Sequence, residues 1–393
     1  MNGQMTKPTN GGAPIHGTSG RLIAGEGNPF LLRDAMAERD EVATDLLVEG
    51  ADRSAPLMTI GITTYKRPQY LIEAVQSALG QRFGRPWEIV VVDDDPQSDS
   101  AERLLEALPV LRTSNFRYYR QQQNLGIYHN FNRVLRYSRG EWMTVLNDDD
   151  LLDPDYLQRM FAELDTHPEI DGLIPHKRTL DERDGVSSSV EPVGPSGQGG
   201  GRLGAAARMM RREGIGAVAK AAVTLAQTRM LYGTRLSRPI PVRKLFWGSI
   251  LGTCCGFIYR RENALAIGGF YHDETPAADF LFYARYAKFF RLYQYRAATV
   301  TMRKASNETA KRDNVIRSFR NAHAIQQAVA ADDAPAWWLK RLTPLIFAWH
   351  RADFRDEWRV ELTRGEVEAA TGVRIGRERP ILIWALRLLL RGF

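Results

Sequence analysis

The residues of this chain best suited to chemistry are carboxylates placed where strands end. Asn147-Asp148-Asp149-Asp150 follows Trp142-Met143-Thr144-Val145-Leu146, a stretch of strand composition. Three adjacent carboxylates repel one another, so they persist at a strand end only where positive charge or water offsets them. Leu151-Leu152-Asp153-Pro154-Asp155-Tyr156-Leu157 reads as the opening of a helix, with Asp153 as N-cap and Pro154 at the first position. In an open α/β sheet, ligands bind beyond the carboxyl ends of the strands. Hard oxygen donors at such a place suit Mg²⁺ or Mn²⁺ carrying a diphosphate. Taken alone, the run reads more readily as a solvated acidic turn, so the surrounding elements decide.

Those elements repeat the pattern. Leu57-Met58-Thr59-Ile60-Gly61-Ile62 reads as a strand that runs into the polar loop Thr63-Thr64-Tyr65-Lys66-Arg67-Pro68. A helix follows, with Leu71, Ala74, Val75, Ala78 and Leu79 at helical spacing. Trp87-Glu88-Ile89-Val90-Val91-Val92 is a short apolar run of the kind buried on both faces of a parallel sheet, and it ends in Asp93-Asp94-Asp95-Pro96. Two strands therefore finish in Asp clusters with helices between them. That alternation predicts an α/β fold with a mostly parallel sheet whose one edge gathers the acidic residues.

In order and spacing these segments resemble family 2 glycosyltransferases of the GT-A, Rossmann-like fold. The matching residues are Thr63-Thr64-Tyr65-Lys66-Arg67, Val91-Val92-Asp93-Asp94-Asp95-Pro96, Asn124-Leu125-Gly126 with Asn130 and Asn132 after it, and Gly140-Glu141-Trp142-Met143 through Asp150. A later region matches too: Cys255-Gly256-Phe257-Ile258-Tyr259-Arg260-Arg261, read as a strand, then Gly268-Gly269-Phe270-Tyr271-His272-Asp273-Glu274 and Ala278-Asp279-Phe280 opening a helix. The resemblance implies an inverting transfer of a sugar from a nucleoside diphosphate, of UDP type, to a hydroxyl of a glycan or lipid-linked acceptor in surface or exopolysaccharide synthesis. It implies Asp279 as the catalytic base, and Thr63, Tyr65, Arg67, Asp94, Asn124 and Asp148 at the nucleotide sugar. Asp149 and Asp150 are implied as ligands of Mn²⁺ or Mg²⁺, with Asp94 accepting from the base imide. The chain departs from the family after its last core strand, where Val300-Thr301-Met302-Arg303-Lys304 carries no His. Arg303 or Lys304 is expected to reach the diphosphate instead.

The chemistry fits the residue types. A metal offsets charge growing on the leaving phosphate, and a carboxylate takes the proton of an attacking hydroxyl whose own pKa is high. Two other classes share part of the pattern: a catalytically inactive binding module of the same fold, and a nucleotidyltransferase-like enzyme. Joint retention of Asp94, Asp149 and Asp279 argues against the first. The second generally carries a Gly-rich phosphate loop after its first strand, and Thr63-Thr64-Tyr65-Lys66-Arg67 has none.

Composition is that of a globular enzyme, with 44% hydrophobic and 25% charged residues in 393. The expected division is a partly disordered N-terminal tail over 1–55 and a nucleotide-sugar half over 56–180. A basic helical insertion over 181–243 follows, then an acceptor and base half over 244–310 and a helical C-terminal extension over 311–393. Between Arg202 and Arg261 stand 12 Lys and Arg against Glu213 alone, contributing to a net charge of +7. Val186 to Gly201 reads as a flexible linker, and Ile215, Val218, Ala222 and Leu225 as one face of an amphipathic helix. This helix and the apolar tail Pro380 to Arg391 are expected either to meet an anionic membrane surface without spanning it or to pack on the core. The basic charge accompanies aliphatic residues rather than stacking aromatics, which points away from nucleic acid. The adjacent Cys254 and Cys255 and the lack of a secretory signal fit a reducing cytoplasm, with the protein peripheral on the inner membrane face.

Overall fold

Four apolar residues in a row, Ile89 to Val92, leave no polar face, so a strand made of them must be covered on both sides. The computed structural model meets that demand. It describes residues 28–182, 188–190, 237–248, 252–304, 311–332 and 337–375. In chain order the elements are β1 (Thr44–Glu49), β2 (Met58–Thr64), α1 (Pro68–Leu79), β3 (Trp87–Asp93), α2 (Ser100–Ala107), β4 (Phe116–Gln121), α3 (Ile127–Tyr137), β5 (Trp142–Asn147), β6 (Leu151–Leu152) and α4 (Tyr156–Thr166). There follow β7 (Gly172–Asp181), β8 (Ser188–Val190), β9 (Ser237–Pro239), β10 (Ile258–Arg260), α5 (Arg261–Ala266), α6 (Ala278–Phe289), β11 (Leu292–Lys304), α7 (Arg312–Asp332), α8 (Trp337–Trp358) and α9 (Arg364–Thr371).

One sheet contains all these strands, in the order β1-β4-β3-β2-β5-β10-β7-β11-β6, with β8 paired to β7 and β9 to β11. The ladders among β2, β3, β4 and β5 are parallel, as is that between β7 and β11. β10 lies antiparallel between β5 and β7 and stitches the two parts together. The α/β class and the mostly parallel sheet flanked by helices are as expected.

Strand alternation builds the layers. Ile89 and Val91 pack with Leu71, Ala74, Val75 and Ala78 of α1, whereas Val90 and Val92 pack with Phe131, Val134 and Leu135 of α3 on the other face. Each fully buried Val or Leu contributes roughly 1.5–3 kcal/mol relative to exposure. α3 lies flat against β2 because Gly61 has no side chain: a Cβ there would sit 2.0 Å from Val134 Cγ1.

The structure corrects four local expectations. The helix after the Asp run begins at Tyr156 with Asp155 as N-cap, not at Pro154 after Asp153. Leu151-Leu152 instead forms β6, recruited by Thr301 and Val300 of β11. In the described part of the expected N-terminal tail, Phe30 and Ala35 are buried, and β1 pairs antiparallel with β4. The Cys255–Arg261 strand is confined to β10, and Arg261 already belongs to α5. Within the expected linker, Ser188–Val190 pairs with the end of β7. The amphipathic helix at 215–225 and the tail at 380–391 lie outside the described residues.

Candidate active site

Parallel register brings the acidic strand ends together. Thr64 stands opposite Asp93 in the β2–β3 ladder, and Thr63 opposite Asn147 in the β2–β5 ladder. The loops after β2, β3 and β5 therefore open at one place.

Asp148 and Asp149 face the loop after β2. The Thr64 hydroxyl donates to Asp148 at 2.9 Å, and the Tyr65 amide donates to the same oxygen at 3.4 Å. Arg67 donates to Asp149 at 2.9 Å and lies 3.6 Å from Asp148. Burial, followed by the neighbouring charge of Asp149, pushes Asp148 up to about 6. Thr63 is buried in β2, and the Tyr65 ring is exposed at the rim beneath the Lys66 ammonium.

Asp150, the other expected ligand, has its own set of internal donors. Its carboxylate turns inward and accepts from the Arg303 amide and the Asn147 side-chain amide, each at 3.0 Å, and from the Cys255 thiol. It is 1% exposed, and burial followed by the charge of Asp149 raises its pKa. A carboxylate whose oxygens already serve three internal donors ties the acidic loop to β11. The thiol of Cys255, buried beside it, is the partner that sequence reading missed.

Asp94 also has local partners. Its two oxygens accept from the Leu125 and Gly126 amides, each at 2.8 Å, so it shapes the Asn124-Leu125-Gly126 loop ahead of α3. Burial pushes it up to about 6. Each carboxylate oxygen keeps a second lone pair, so these bonds are compatible with acceptance from a base. Asn124 is exposed on that loop. Asn130 donates to the Val92 carbonyl at 2.9 Å. Asn132 donates to the Phe270 carbonyl at 2.7 Å and accepts from the Phe270 amide at 2.8 Å. Gly269 (φ 74°) lies so close that a Cβ would meet Asn132 Oδ1 at 2.5 Å. Asn132 thus fastens α3 to the turn that leads toward Asp279.

Asp279 stands in the first turn of α6, where an anionic side chain is favoured. Its Oδ1 accepts from the Phe280 amide at 2.7 Å. Burial pushes it up to about 6, against the Phe280 amide and the Lys177 ammonium, which favour its ionised form. The other acids of this region are committed elsewhere. Glu274 accepts twice from the buried Arg285, at 2.7 and 2.9 Å, and Asp273 pairs with Arg33.

Arg303 and Lys304, expected near the diphosphate, have partners within the fold. The Arg303 guanidinium donates to Glu73 at 2.6 Å and lies over the Tyr70 ring, while Lys304 lies over the Trp358 ring. Lys177 on β7 was not singled out from the sequence. Its charge has Cys255, Cys254, Asp150 and Asp279 as neighbours. Period-two alternation along β7 would have flagged it, had that strand been predicted.

Among the described residues, no group of three or more His, Cys, Asp and Glu side chains forms a closed metal cage. Asp149 and Asp148 supply hard oxygens at the cleft. That matches the way Mg²⁺ and Mn²⁺ take one or two carboxylates and leave the remaining positions to phosphate and water. The residues fit a divalent cation that arrives with a diphosphate.

Comparisons with known proteins identify the family. A family model described as Glycosyl transferase family 2 matches residues 59–264, more than half of the chain. An uncharacterized protein of Mycobacterium tuberculosis is 31% identical over 136 residues, 34% of this chain and 39% of that protein. The Escherichia coli putative colanic acid biosynthesis glycosyl transferase WcaA is 31% identical over 118 residues, 29% of this chain and 41% of that protein. The chain thus matches less than half the length of these curated relatives. Among solved structures, S. aureus TarS 1-349 in complex with UDP superposes with a TM-score of 0.51 at 15% identity, covering 85% of this chain and 88% of that one. At that identity the likeness concerns the fold.

Proposed function

The chain belongs to glycosyl transferase family 2, and from that premise we propose that it moves a sugar from a UDP-type nucleotide sugar to a hydroxyl of a glycan or lipid-linked acceptor, with inversion. The observation that carries this reading is the gathering of buried carboxylates at one sheet edge, Asp148 and Asp149 from β5 and Asp94 from β3, together with Asp279 in the first turn of α6. The printed name of WcaA supports a place in surface-polysaccharide synthesis.

In this mechanism the acceptor oxygen bonds to the anomeric carbon from the side opposite the leaving group. Asp279 takes the hydroxyl proton, and the C–O bond to the diphosphate breaks with its electron pair. One displacement inverts the centre, so no second nucleophilic carboxylate is required. Asp149, with Asp148 beside it, would hold Mn²⁺ or Mg²⁺ against the diphosphate, where the cation offsets leaving-group charge. Arg67, 2.9 Å from Asp149, would meet the same phosphates. Asp150 sets the loop through Arg303, Asn147 and Cys255. Thr63, Tyr65, Asp94 and Asn124 would line the nucleoside end.

The segment division drawn above is part of this proposal, with the donor on the 56–180 side and the acceptor on the 244–310 side. Among the described residues no helix is long and apolar enough to cross a membrane. The basic stretch from Arg202 and the tail from Pro380 support a peripheral place on an anionic surface at the cytoplasmic face.

A panel of nucleotide sugars tests the donor assignment. Hydrolysis and protection against thermal unfolding are measured with and without Mn²⁺. Binding to the folded state alone raises stability by about 2.7 kcal/mol at a hundredfold excess over Kd, so one donor class should stand out, and only with metal. A flat panel would contradict the reading.

A further inference from the structure

The helix that carries Asp279 starts without a capping side chain of its own. The residue ahead of α6 is Ala277, which has no side-chain oxygen to offer the first amides. The Phe280 amide is served by Asp279 itself, at 2.7 Å, so the direction of the carboxylate follows the backbone of this turn. A group from another element meets that backbone. The Tyr128 hydroxyl, in the first turn of α3, donates to the Pro276 carbonyl at 2.8 Å. Pro276 lies three residues ahead of Asp279.

Packing fixes where this hydroxyl points. Tyr128 is buried, with its ring edge-on to Phe131 at 5.6 Å between centroids and parallel to Phe270 at 6.2 Å. Beside it on α3, His129 stacks on His272 with centroids 4.4 Å apart, and Asn132 makes its paired bonds to Phe270. His272 also lies against Gly126, where a Cβ would be 3.0 Å from His272 Cε1. The turn from Phe270 to Pro276 therefore rests on α3 along its length, and Tyr128 holds the end nearest Asp279.

The other end of α3's first turn belongs to the nucleotide side. Asp94 accepts from the Leu125 and Gly126 amides, each at 2.8 Å, immediately ahead of α3. Tyr128 is two residues beyond Gly126. A continuous path of hydrogen bonds and covalent neighbours thus runs from Asp94 on β3, through Gly126 and Tyr128, to Pro276 and Asp279.

We propose that Tyr128 is a positioning residue for the catalytic base: its hydroxyl, bound to the Pro276 carbonyl, sets the first turn of α6 and so aims the Asp279 carboxylate relative to the loop that Asp94 holds. This rests on the reading of Asp279 as the base. Tyr128 takes no part in the proton transfer itself. Burial, and then the charge of Asp279, hold its phenol well above the ordinary value, so it stays a neutral donor. The proton moves from the acceptor oxygen to Asp279, and the electron pair leaves with the diphosphate.

Tyr128→Phe tests this by removing the hydroxyl and keeping the ring. Turnover of the nucleotide sugar that the donor panel selects is measured in the full chain with water as acceptor. It is expressed per UDP site counted by calorimetry with Mn²⁺, so unfolded protein does not enter the rate. The expected kcat is about tenfold lower, the scale of a slightly misplaced group, with UDP affinity within about twofold. In an Asp279→Asn background the same change should cost nothing further, because no base is left to aim. Amide hydrogen exchange at Ala278 and Asp279 should quicken in Tyr128→Phe as the turn loosens. Tyr128→Met, which also lacks the hydroxyl, serves if the phenylalanine variant does not fold.

An unchanged kcat, or unchanged exchange at Ala278 and Asp279, would overturn the proposal while the base reading stands. An equal loss in the wild-type and Asp279→Asn backgrounds would overturn it too, by making the hydroxyl a general support of the fold. So would a loss of more than about tenfold in UDP affinity with kcat unmoved, which would assign Tyr128 to the donor. Near-normal turnover by Asp279→Asn would instead remove the base reading itself, and the proposal with it.

Discussion

The two ends of the central strands treat buried carboxylates in opposite ways. At the start of β3, Glu88 is 0% exposed and accepts four hydrogen bonds. Arg117 donates at 2.8 Å, the Arg139 side chain at 2.9 Å, the Arg139 amide at 2.7 Å and the Thr59 hydroxyl at 2.8 Å. Two guanidiniums answer one carboxylate. At the other end, Asp94, Asp148 and Asp279 are all held up to about 6, with burial the largest cause. There the cations are fewer than the acids, and backbone amides carry part of the load. Charge that serves the fold is neutralised within the fold. Charge held for a ligand is left short of partners until the ligand's own charges arrive.

The largest expected effect is at the acidic end. Asp279→Asn keeps the shape of the side chain and its bond from the Phe280 amide, but it cannot take a proton. Transfer should fall by about 10²–10⁴, with affinity for UDP and Mn²⁺ unchanged by calorimetry. Loss of both together would mean that Asp279 shapes the donor site.

The matching change at the other end should act on stability alone. Glu88→Gln leaves two guanidiniums facing an amide, and breaking a buried pair costs roughly 3–5 kcal/mol. Urea unfolding should show that loss, while the folded fraction binds UDP as before. A neutral Glu88→Gln would dissolve the contrast between the two ends.

Asp149→Ala should weaken metal-dependent UDP binding by at least about tenfold, or 1.4 kcal/mol, with little effect on unfolding. Asp150→Asn should instead disturb the loop through Arg303, Asn147 and Cys255. Equal metal loss in both variants would restore Asp150 as a direct ligand.

The smallest effect has an unusual sign. A carboxylate whose folded pKa is raised makes the folded state bind more protons than the unfolded one. For Asp148 the window runs from its ordinary 3.8 to about 6. Stability of the ligand-free chain from this group should therefore rise as pH falls through 6 and decline as pH rises through it. Asp148→Asn removes the cost and should raise stability at pH 7.5 by about 1 kcal/mol, while turnover drops. Activity should show the opposite dependence in the same window if Asp279 is the base, which acts only when ionised. Urea melts across pH 4–8 on wild type and Asp148→Asn check both signs.

Much of the site was legible because parallel strands and their Asp termini are local signals. β2, β3 and β5 each carry their apolar run and their polar end within about ten residues of sequence. What escaped was non-local. Leu151-Leu152 has the composition of a helix start, and only pairing with β11, about 150 residues later, makes it a strand. The bonds of Asp150 come from Arg303 and Cys255, both more than 100 residues away in sequence. Arg303 looked available until Glu73 and Tyr70 took it. Lys177 became visible only once β7 was placed between β10 and β11.

The most direct measurement is anomalous diffraction at the manganese edge from crystals of the chain grown with UDP and Mn²⁺. The account predicts one strong peak within about 2.0–2.4 Å of an Asp149 oxygen, bridging to the UDP phosphates, with Asp150 still turned toward Arg303 and Cys255. A peak coordinated by Asp150 but not Asp149, or UDP bound away from the β2, β3 and β5 strand ends, would contradict it.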